Sequence, residues 1–503
     1  MDIYLGTSRG LCRTCRESVD VQVLSDGEAV YLSRRCPRCG PSRALVAESL
    51  PWFLRAQQEL PAAAPPSWTR PRDASCPDAC GPCSFHAQAC HLPVFSITNA
   101  CDLRCPICFT YNRADELYFM SPEELARHLD FVVAATGGVD LVNITGGEPT
   151  LHPRLSELVA LARRPEIGRV TVNTNGLTIA RDPGVAKRLA DLGVYVILSL
   201  DTLDPERCVR IHGRDITADK RRALDVLTEH GIQTTLLMVL AGGVNEQDLP
   251  PMLDLLAGRD NVRSLTIQTM AYTGQGGGSF LPRQHLPVDG VERRIESASG
   301  GRIAVADFQP LPTAHPLCYG VTYLLRHPDG ELHPMSRFVD RGTIARALST
   351  GYLLRPSDEL ERDLRGAVDR LWSEGADPRL LGLFRGLIGD LYPADRTLTV
   401  AERQRVAERQ VKTIYIHAHM DEDTWEVGRA MRCPDQVPVI TSPDGSDPRL
   451  IGACNYNLFY RHRDPRFFDC GRSSSIITGK NCEKSLEGGA RGGNFSSEKF
   501  PPR

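Results

Sequence analysis

The sequence predicts an α/β protein built on a parallel sheet, with a cysteine-rich segment before the sheet and a mixed segment after it. Two observations lead to this fold class. Between Leu92 and about Met270, six short runs rich in β-branched residues alternate with helical patterns, as expected of strands joined by crossover helices. The strand runs are mostly apolar without strict alternation, which is typical of a sheet covered on both faces. The 503 residues suffice for a large core and for roughly two to four domains.

The predicted strands run, in order, through PVFSIT, VDLVNIT, RVTVNTN, VYVILSLD, IQTTLLMVL and VRSLTIQTM. The first intervening helix has a clear start, because Ser121 can cap it, Pro122 takes the first helical position and Glu124 the third. After the glycine-rich YTGQGGGSF, helical patterns (SDELERDLRGAVDRLWSEG, VAERQRVAERQ) precede a strand-like KTIYIHAHM. We expect residues 286–470 to form a mixed C-terminal domain. Residues 471–503 are poor in apolar side chains and are predicted to be disordered.

Charge and composition narrow the function classes. The chain has 59 Lys and Arg against 62 Asp and Glu, with both signs interspersed, so neither a nucleic acid nor a membrane surface is predicted as a partner. The start MDIYLGTSRGLCR lacks the features of a signal peptide, and no apolar run reaches the length of a membrane span. We therefore expect a cytoplasmic protein, in which clustered thiols more often bind metal than form disulfides. The 17 cysteines predict metal sites.

The stretch ITNACDLRCPICF places three cysteines directly after the first predicted strand, with the spacing C-x3-C-x2-C. They are Cys101, Cys105 and Cys108. The carboxyl end of a parallel strand is where sites are built in such folds. A structural zinc ion needs four ligands, whereas an iron-sulfur cluster held by three cysteines leaves one iron open to a small molecule. The spacing by itself leaves both open.

The residues around this motif resemble the radical SAM enzymes. In that family the open iron chelates S-adenosylmethionine (SAM), and an electron from the cluster cleaves it to a 5'-deoxyadenosyl radical. The resemblance implies a partial (β/α)6 TIM barrel over residues 92–285, which agrees with the six predicted strands. It makes Cys101, Cys105 and Cys108 the catalytic ligands of a 4Fe-4S cluster. Phe109 follows them, as the family's aromatic neighbour of the adenine does.

The same resemblance assigns SAM contacts to the following strand ends. NITGGEP matches the family's GGE motif, and glycine there permits close backbone approach to a ligand. VNTNG and ILSLD end the third and fourth strands, and RIHGRD follows. The guanidinium fork of Arg214 suits the methionine carboxylate. The implied cofactor-binding residues are Phe109, Gly146, Gly147, Glu148, Pro149, Asn173, Asn175, Ser199, Asp201 and Arg214. Cys208 is expected on a helix, as a small buried hydrophobic residue.

The N-terminal residues 1–60 contain two C-x2-C knuckles. The four cysteines Cys12, Cys15, Cys36 and Cys39 have the layout of a zinc ribbon or rubredoxin and predict one tetrahedral metal site. Four thiolates suit both Zn and Fe, so the pattern does not distinguish these metals. We favour a structural role.

Residues 61–91 carry a second C-x3-C-x2-C motif, this time with a fourth cysteine seven residues further on. The members are Cys76, Cys80, Cys83 and Cys90. Four thiolates complete a 4Fe-4S cluster and leave no open iron, so this auxiliary cluster could relay electrons to the first. A second zinc site is the alternative. His86 and His91 lie beside the motif and are not expected to be ligands.

The order of these parts resembles one radical SAM subfamily over nearly the whole chain, to about Asn457. It contains the archaeal tetraether lipid synthases and the radical methylases of methanopterin biosynthesis. That resemblance implies a third 4Fe-4S cluster with Cys318, Cys433 and Cys454 as candidate ligands. Cys470, His315 or a substrate group is open as the fourth ligand, and three unrelated buried cysteines are the alternative. His417 and His419 are interpreted as packed or capped histidines.

These observations predict a radical SAM transferase that functionalises an unactivated carbon, by C-methylation or C-C bond formation on a small molecule. Its predicted cofactors are SAM, the SAM-binding cluster, one or two auxiliary 4Fe-4S clusters and one mononuclear Fe or Zn. A flavodoxin- or ferredoxin-type protein is the expected electron donor, and the subfamily precedent favours a carbon donor other than the SAM methyl group. Coupling of lipid alkyl chains and a non-catalytic iron-sulfur redox protein are the alternatives. The absence of a basic amphipathic helix favours a soluble substrate.

Overall fold

A computed structural model of the chain shows the arrangement of these segments. It describes residues 2–60, 64–67, 69, 76, 80–81, 83, 86–110, 116–274, 279–327, 329–348, 351–354, 356–375, 377–440 and 447–467. The predicted disordered tail, Cys470 and Cys482 lie outside the described residues, as does part of the segment 61–91.

The N-terminal module is a four-stranded antiparallel sheet in the order β1-β2-β3-β4, followed by one helix. Its elements are β1 (Ile3–Leu11), β2 (Ser18–Ser25), β3 (Val30–Cys36), β4 (Gly40–Ala47) and α1 (Leu50–Gln58). The first knuckle joins β1 to β2 and the second joins β3 to β4, so both lie at one end of the sheet. This meander therefore gathers the four predicted thiols.

The core is the predicted parallel sheet, with all six strands adjacent in chain order. The strands are β5 (Leu92–Ser96), β6 (Val142–Thr145), β7 (Val170–Thr174), β8 (Tyr195–Ser199), β9 (Thr234–Leu240) and β10 (Val262–Thr269). The helices between them are α2 (Pro122–Thr136), α3 (Leu155–Ala162), α4 (Leu177–Arg181), α5 (Pro183–Asp191), α6 (Pro205–His212), α7 (Thr217–Glu229) and α8 (Leu249–Gly258). The fold class, a partial (β/α)6 barrel behind a zinc-ribbon-like module, is confirmed.

Local sequence signals place these elements. Ser121 accepts a hydrogen bond from the Glu124 N–H at 3.1 Å and starts α2, which ends at Gly137 with φ 74°. Along β9, buried residues alternate with half-buried ones. The buried set packs in the main hydrophobic core, and the half-buried residues Leu237 and Val239 line the barrel interior. The interior is therefore only partly filled.

The C-terminal segment adds strands, helices and a second hydrophobic core. Its elements are α9 (Val288–Ala298), β11 (Gln309–Pro310), β12 (Tyr319–Arg326), β13 (Leu332–Pro334), α10 (Arg341–Ala347), α11 (Asp358–Ser373), α12 (Pro378–Leu391), α13 (Val400–Gln410), β14 (Val411–Ala418), α14 (Val427–Ala430), β15 (Asp435–Ile440), β16 (Pro448–Gly452) and α15 (Ala453–Asn455). None of the described helices has the length and apolar character that a membrane span requires.

Strands of this late segment extend the core sheet at both edges. β14 pairs in parallel with β10, and β12 pairs antiparallel with β14. At the other edge β15 pairs in parallel with β5, and β16 pairs antiparallel with β15. An open six-stranded sheet leaves unpaired N–H and C=O groups at both edges, and these strands satisfy them. The division of the chain at residue 285 stays a prediction.

A buried lysine joins β14 to the core and gives a pH-dependent stability. The Lys412 side chain donates to the carbonyl oxygens of Arg259 (2.7 Å) and Val262. Burial lowers the pKa of Lys412 from 10.5 to about 7. Between these values the unfolded chain binds a proton that the folded chain does not, so the free energy of unfolding rises with pH.

We expect unfolding of the wild type at pH 9.5 to require about 2–3 kcal/mol more than at pH 7.5, since each unit is worth about 1.4 kcal/mol. The Lys412→Met variant should lack this part of the increase. Denaturant unfolding of both proteins, followed by circular dichroism at each pH, measures the difference. An equal increase in the two proteins would contradict the assignment.

Candidate functional site

The loop between β5 and α2 brings three predicted thiols to the mouth of the barrel. Cys101, Cys105 and Cys108 all line a cavity of about 280 Å³ at the carboxyl ends of the strands. The loop is tied down by a hydrogen bond from the Ile107 N–H to the carbonyl of Ile211 at 3.3 Å. In the described part of the chain, the three sulfurs are not all within 4.8 Å of one another, as the ligands of a single ion are. This wider spacing fits a cluster.

Hydrogen bonds join the GGE motif to the cysteine loop. The Gly147 N–H donates to the carbonyl of Thr98 at 2.8 Å, and the Glu148 N–H donates to that of Ala100 at 2.6 Å. A Cβ at Gly146 would lie 2.4 Å from the Thr98 carbonyl oxygen, so only glycine permits this approach. Pro149 begins a short 3-10 helix directly behind the motif. The motif therefore fixes the end of β6 against the cysteine loop.

The Glu148 carboxylate is held by neighbours from two strand ends. One oxygen accepts hydrogen bonds from the Thr150 N–H (3.0 Å) and the Thr174 hydroxyl (2.7 Å), and the other accepts from the Asn175 N–H (2.7 Å). Burial raises the pKa of Glu148, and these donors oppose that shift. The carboxylate lines the cavity in one fixed orientation. It is placed to accept a hydrogen bond from a bound cationic group.

A buried lysine that the sequence interpretation missed crosses the ends of β7 and β8. Lys220 on α7 donates to the carbonyl oxygens of Asn175 (2.7 Å) and Ser199 (2.6 Å) and lines the cavity. Burial lowers the pKa of Lys220, against the charge of Asp201. Arg214, the predicted carboxylate partner, is exposed, donates to the Asp102 carbonyl at 3.4 Å and does not line this cavity. Its role stays a prediction.

Asp201, His212 and Cys105 form a connected set on the cavity wall. One ring nitrogen of His212 lies 3.2 Å from an Asp201 oxygen, and the other lies 3.3 Å from the Cys105 sulfur. Asp201 also accepts from the Val239 N–H at 2.7 Å. Burial raises the pKa of Asp201, but the His212 contact and nearby positive charge outweigh it and lower the pKa. His212 therefore links a strand-end carboxylate to a predicted cluster ligand.

The C-terminal segment closes the other side of the cavity. Phe109 lies 4.9 Å from the His419 ring, which lies 3.9 Å from the His417 ring. Arg461 is buried and donates to the Ser96 hydroxyl at 3.1 Å. His417, His419 and Arg461 all line the cavity. No sequence motif around these residues predicts that they do. The predicted SAM-binding residue Phe109 and residues of the C-terminal segment thus line the same wall of the cavity.

A second cavity of about 190 Å³ lies deeper in the barrel. This lower cavity shares Asn143, Asn173, Gln268 and other lining residues with the cavity at the barrel mouth, which we call the upper cavity. The two cavities are therefore neighbours along the barrel. Within the described residues, the amide groups of Asn173 and Gln268 have no hydrogen-bond partner. These amides offer donors and acceptors to a ligand.

Beside these amides lies a buried network on residues of the C-terminal segment. The Tyr319 and Tyr352 hydroxyls both donate to Asp435. The Tyr319 hydroxyl also lies 3.0 Å from a ring nitrogen of His417. Burial raises the pKa of Asp435 to about 6, and the two tyrosine donors oppose that shift. The network gives the wall between the two cavities a fixed polar face.

The four N-terminal thiols form one compact group. Cys12, Cys15, Cys36 and Cys39 offer sulfurs within 4.8 Å of one another, and the Cys15 and Cys36 sulfurs are 3.7 Å apart. Sulfurs bound 2.3 Å from one tetrahedral metal are about 3.8 Å apart, so the geometry fits a single ion. The residues after each knuckle, Arg16 (φ 57°) and Gly40 (φ 84°), share the left-handed conformation. The predicted four-cysteine site is present.

The second cysteine set is only partly described. The Asn455 amide donates to the sulfur of Cys80 at 3.1 Å and lies 4.0 Å from that of Cys76. Burial raises the pKa of Cys90, whose nearest donors are backbone N–H groups of β5 and β15. Residues 77–79, 82 and 84–85 lie outside the described residues. The closed cluster with Cys83 as a ligand stays a prediction. His86 bonds to Gln436 on β15.

The remaining predicted ligands are Cys318, Cys433 and Cys454, and they lie near one another beside His419. Burial raises the pKa of Cys433, and the thiols of Cys454 and Cys318 raise it further, which places the three within charge range of one another. Arg429 donates to the Cys318 sulfur at 3.2 Å. Cys208 is buried on α6 as predicted, accepting from the Ile216 N–H at 3.3 Å.

Comparison with known proteins agrees with this geometry. Residues 95–256 match the radical SAM superfamily, and residues 4–48 match the HMPTM N-terminal zinc ribbon domain. The chain is 23% identical to 7,8-dihydro-6-hydroxymethylpterin dimethyltransferase of Methanocaldococcus jannaschii, covering 90% of this chain and 93% of the relative. It is 32% identical to GTP 3',8-cyclase of Chlorobaculum tepidum over 34% of this chain and 52% of that one. A crystal structure of Streptococcus suis SuiB bound to precursor peptide SuiA aligns with a TM-score of 0.36 at 21% identity, covering 42% of this chain and 46% of the other.

Proposed function

The chain is a radical SAM enzyme with an N-terminal zinc ribbon, and we propose that it methylates an unactivated carbon of a small nitrogen heterocycle of the pterin class. The relative named for a hydroxymethylpterin substrate aligns over almost its whole length, which supports this substrate class. The observation that carries the proposal is the partly filled barrel interior beneath the three thiols, with unpaired amides facing it.

In this proposal the upper cavity holds the cofactors. Cys101, Cys105 and Cys108 would hold a 4Fe-4S cluster, and Glu148 would accept from the methionine amino group of SAM. When bound, the reduced cluster supplies the electron that cleaves SAM into methionine and a 5'-deoxyadenosyl radical. Lys220 holds its amino group against the carbonyl oxygens of two strand ends, where as an ammonium it would offset the SAM carboxylate. The buried walls exclude water from the radical.

The lower cavity would hold the substrate. A pterin ring has flat faces and an edge that alternates donors and acceptors, which suits carboxamides and aromatic walls. Asn173 and Gln268 supply the amides, and Tyr319 and Tyr352 supply aromatic rings. A lipid synthase would need an apolar tunnel instead. The two unpaired amides in this otherwise largely apolar lining favour a small heterocycle over a lipid alkyl chain.

The other metal centres complete the proposal. The four-cysteine ribbon site would hold Zn or Fe in a structural role. The segment with Cys76, Cys80, Cys83 and Cys90 would hold an auxiliary 4Fe-4S cluster that passes electrons. The external electron donor would be of the flavodoxin or ferredoxin type.

One labelling experiment tests the activity. The protein is reconstituted anaerobically with iron and sulfide, then incubated with dithionite, a reduced hydroxymethylpterin, a reduced folate that carries a methylene group, and SAM carrying a deuterated methyl group. We expect 5'-deoxyadenosine together with a methylated pterin. The absence of deuterium from that product would show that the added carbon comes from another donor. Turnover without any change in the pterin would refute the proposed substrate class.

We expect Gln268→Leu to weaken substrate binding selectively. The change removes an unpaired amide from the cavity wall while keeping a similar volume, so the KM for the pterin should rise about tenfold, as for one lost hydrogen bond of about 1.4 kcal/mol. Formation of 5'-deoxyadenosine without substrate should continue. Steady-state kinetics measure both, and the same substitution at the exposed Gln247 is the matched control. An unchanged KM in Gln268→Leu would remove this residue from the substrate site.

A further inference from the structure

We propose that the ribbon module supports SAM binding through Arg34, which holds the β14–α14 loop (residues 419–426) against the ribbon. This loop carries His419 and with it the wall of the upper cavity that His419 and Phe109 line. The described lining of the two cavities does not include Arg34, so Arg34 is a positioning residue. This role rests on the proposed function, because the upper cavity is taken to be the SAM site.

Arg34 connects the first cysteine knuckle of the ribbon with this loop. Arg34 lies on β3 and is 4% exposed, and its Nη1 donates to the carbonyl oxygens of Leu11 (2.6 Å) and Glu422 (3.0 Å). Its Nη2 donates to the carbonyl oxygen of Asp423. Leu11 directly precedes the predicted metal ligand Cys12. A single buried guanidinium therefore fixes the loop backbone to the strand that leads into the metal site.

Further contacts fix the rest of the loop to the ribbon. Arg16, directly after the first knuckle, lies 2.5 Å from the Glu422 carboxylate. Gly10 on β1 pairs with Glu426 as an antiparallel bridge, and a Cβ at Gly10 would lie 3.0 Å from the carbonyl oxygen of Trp425. The ribbon and the loop therefore pack backbone against backbone as well as through an ion pair.

The charges of the loop explain why it needs the ribbon. Residues 421–423 are two aspartates and a glutamate, and each is at most 4% exposed. His285 and Arg283, from the segment after β10, pair with the two aspartates at 2.9 Å and 2.7 Å. Glu422 pairs with Arg16 of the ribbon instead. Because a buried carboxylate that loses its cation is strongly destabilised, loss of the ribbon contacts should move this part of the loop towards solvent.

The same loop begins at the cavity wall. The His419 ring lies 4.9 Å from that of Phe109, and only two residues separate His419 from Glu422. Asp421, one of these two, accepts a hydrogen bond from the Tyr272 N–H at 3.0 Å, so the loop has one anchor on the barrel and one on the ribbon. Without the ribbon anchor, the wall should open more often and SAM should bind less tightly.

The test uses the full-length, anaerobically reconstituted protein and compares wild type with Arg34→Gln and Arg43→Gln. Arg43 is the control, because it is exposed on β4 of the same sheet. Hydrogen exchange reports on the loop, calorimetric titration measures the Kd for SAM, and metal analysis reports on the ribbon site. We expect Arg34→Gln to keep the ribbon metal, to raise exchange over residues 419–426 and to weaken SAM binding about tenfold. The rate of 5'-deoxyadenosine release at saturating SAM should stay close to that of the wild type.

A double-mutant cycle of Arg16→Gln and Glu422→Gln tests the same contact without changing Arg34. Each single variant should weaken SAM binding, and the double variant should bind no more weakly than the singles. If Arg34→Gln loses the ribbon metal, this cycle decides alone. Wild-type SAM affinity in Arg34→Gln with its metal retained, an equal loss in Arg43→Gln, or additive losses in the cycle would overturn the role of the ribbon. A wild type that binds no SAM would refute the proposed function, whereas the exchange comparison would still test the contact.

Discussion

Replacing Cys105 by alanine is expected to reduce 5'-deoxyadenosine release to background. Cys105 lies between Cys101 and Cys108 on one loop at the barrel mouth, and its sulfur also contacts His212 at 3.3 Å. Two remaining thiols cannot hold a cluster that requires three, so SAM loses both its iron and its electron source. Chromatography of the dithionite-driven reaction measures the nucleoside, and iron analysis should show the loss of about four iron atoms per chain for one 4Fe-4S cluster.

Cys208→Ala is the matched control for this variant. Cys208 is buried on α6 and its sulfur bonds only to backbone groups of residues 214 and 216 among the described contacts. The substitution should keep the full iron content and the rate of SAM cleavage. Wild-type cleavage by Cys105→Ala, or equal losses in both variants, would show that the predicted triad is not the SAM-binding site.

Removing one ribbon ligand, as in Cys15→Ser, is expected to unfold the N-terminal sheet. A structural tetrahedral metal contributes on the order of 10 kcal/mol to a small module, more than so few buried side chains can replace. The ribbon also docks on the loop after β14, where Arg34 donates to the carbonyl oxygens of Glu422 (3.0 Å) and Asp423. Loss of the sheet should therefore loosen residues 420–426 as well.

Hydrogen exchange read by mass spectrometry measures this effect. Exchange should rise over residues 3–47 and 420–426 and stay unchanged in the core strands from β5 to β10. Arg43→Gln is the control, because Arg43 is exposed on β4 of the same sheet and pairs with Asp2 rather than with a metal ligand. Unchanged exchange in the ribbon of Cys15→Ser would show that the metal is dispensable for its fold.

Much of the fold was predictable because its signals are local. The alternation of apolar runs and helical patterns identifies β5 to β10, and Ser121, Pro122 and Gly137 delimit α2. The edge strands were not predictable in the same way. β14 pairs with β10 across about 150 residues of chain, and β15 pairs with β5 across more than 300. The residues near such a strand in the chain do not predict which edge of the sheet it pairs with.

Some residues of the candidate site could also be predicted from local sequence, and others could not. The cysteine spacing and the GGE motif could be recognised because their residues are adjacent in the chain. Lys220 could not, since it occupies a helix whose charged residues resemble an ordinary solvated face. Only burial against the carbonyls of Asn175 and Ser199 reveals its place. Arg214 is the opposite case. Its guanidinium suits an anion and led to its prediction as a site residue, but the structure leaves it exposed.

The sequence by itself determined the class of barrel, the three-cysteine loop and the four-cysteine ribbon, since each depends on spacing within a few dozen residues. The tertiary structure decided what surrounds them. It brought His417, His419, Asp435 and Arg461 to the same cavity as Phe109, and it gathered Cys318, Cys433 and Cys454 near one another. Pairing of open sheet edges and burial of apolar faces drive these long-range contacts, and neither leaves a local pattern in the chain.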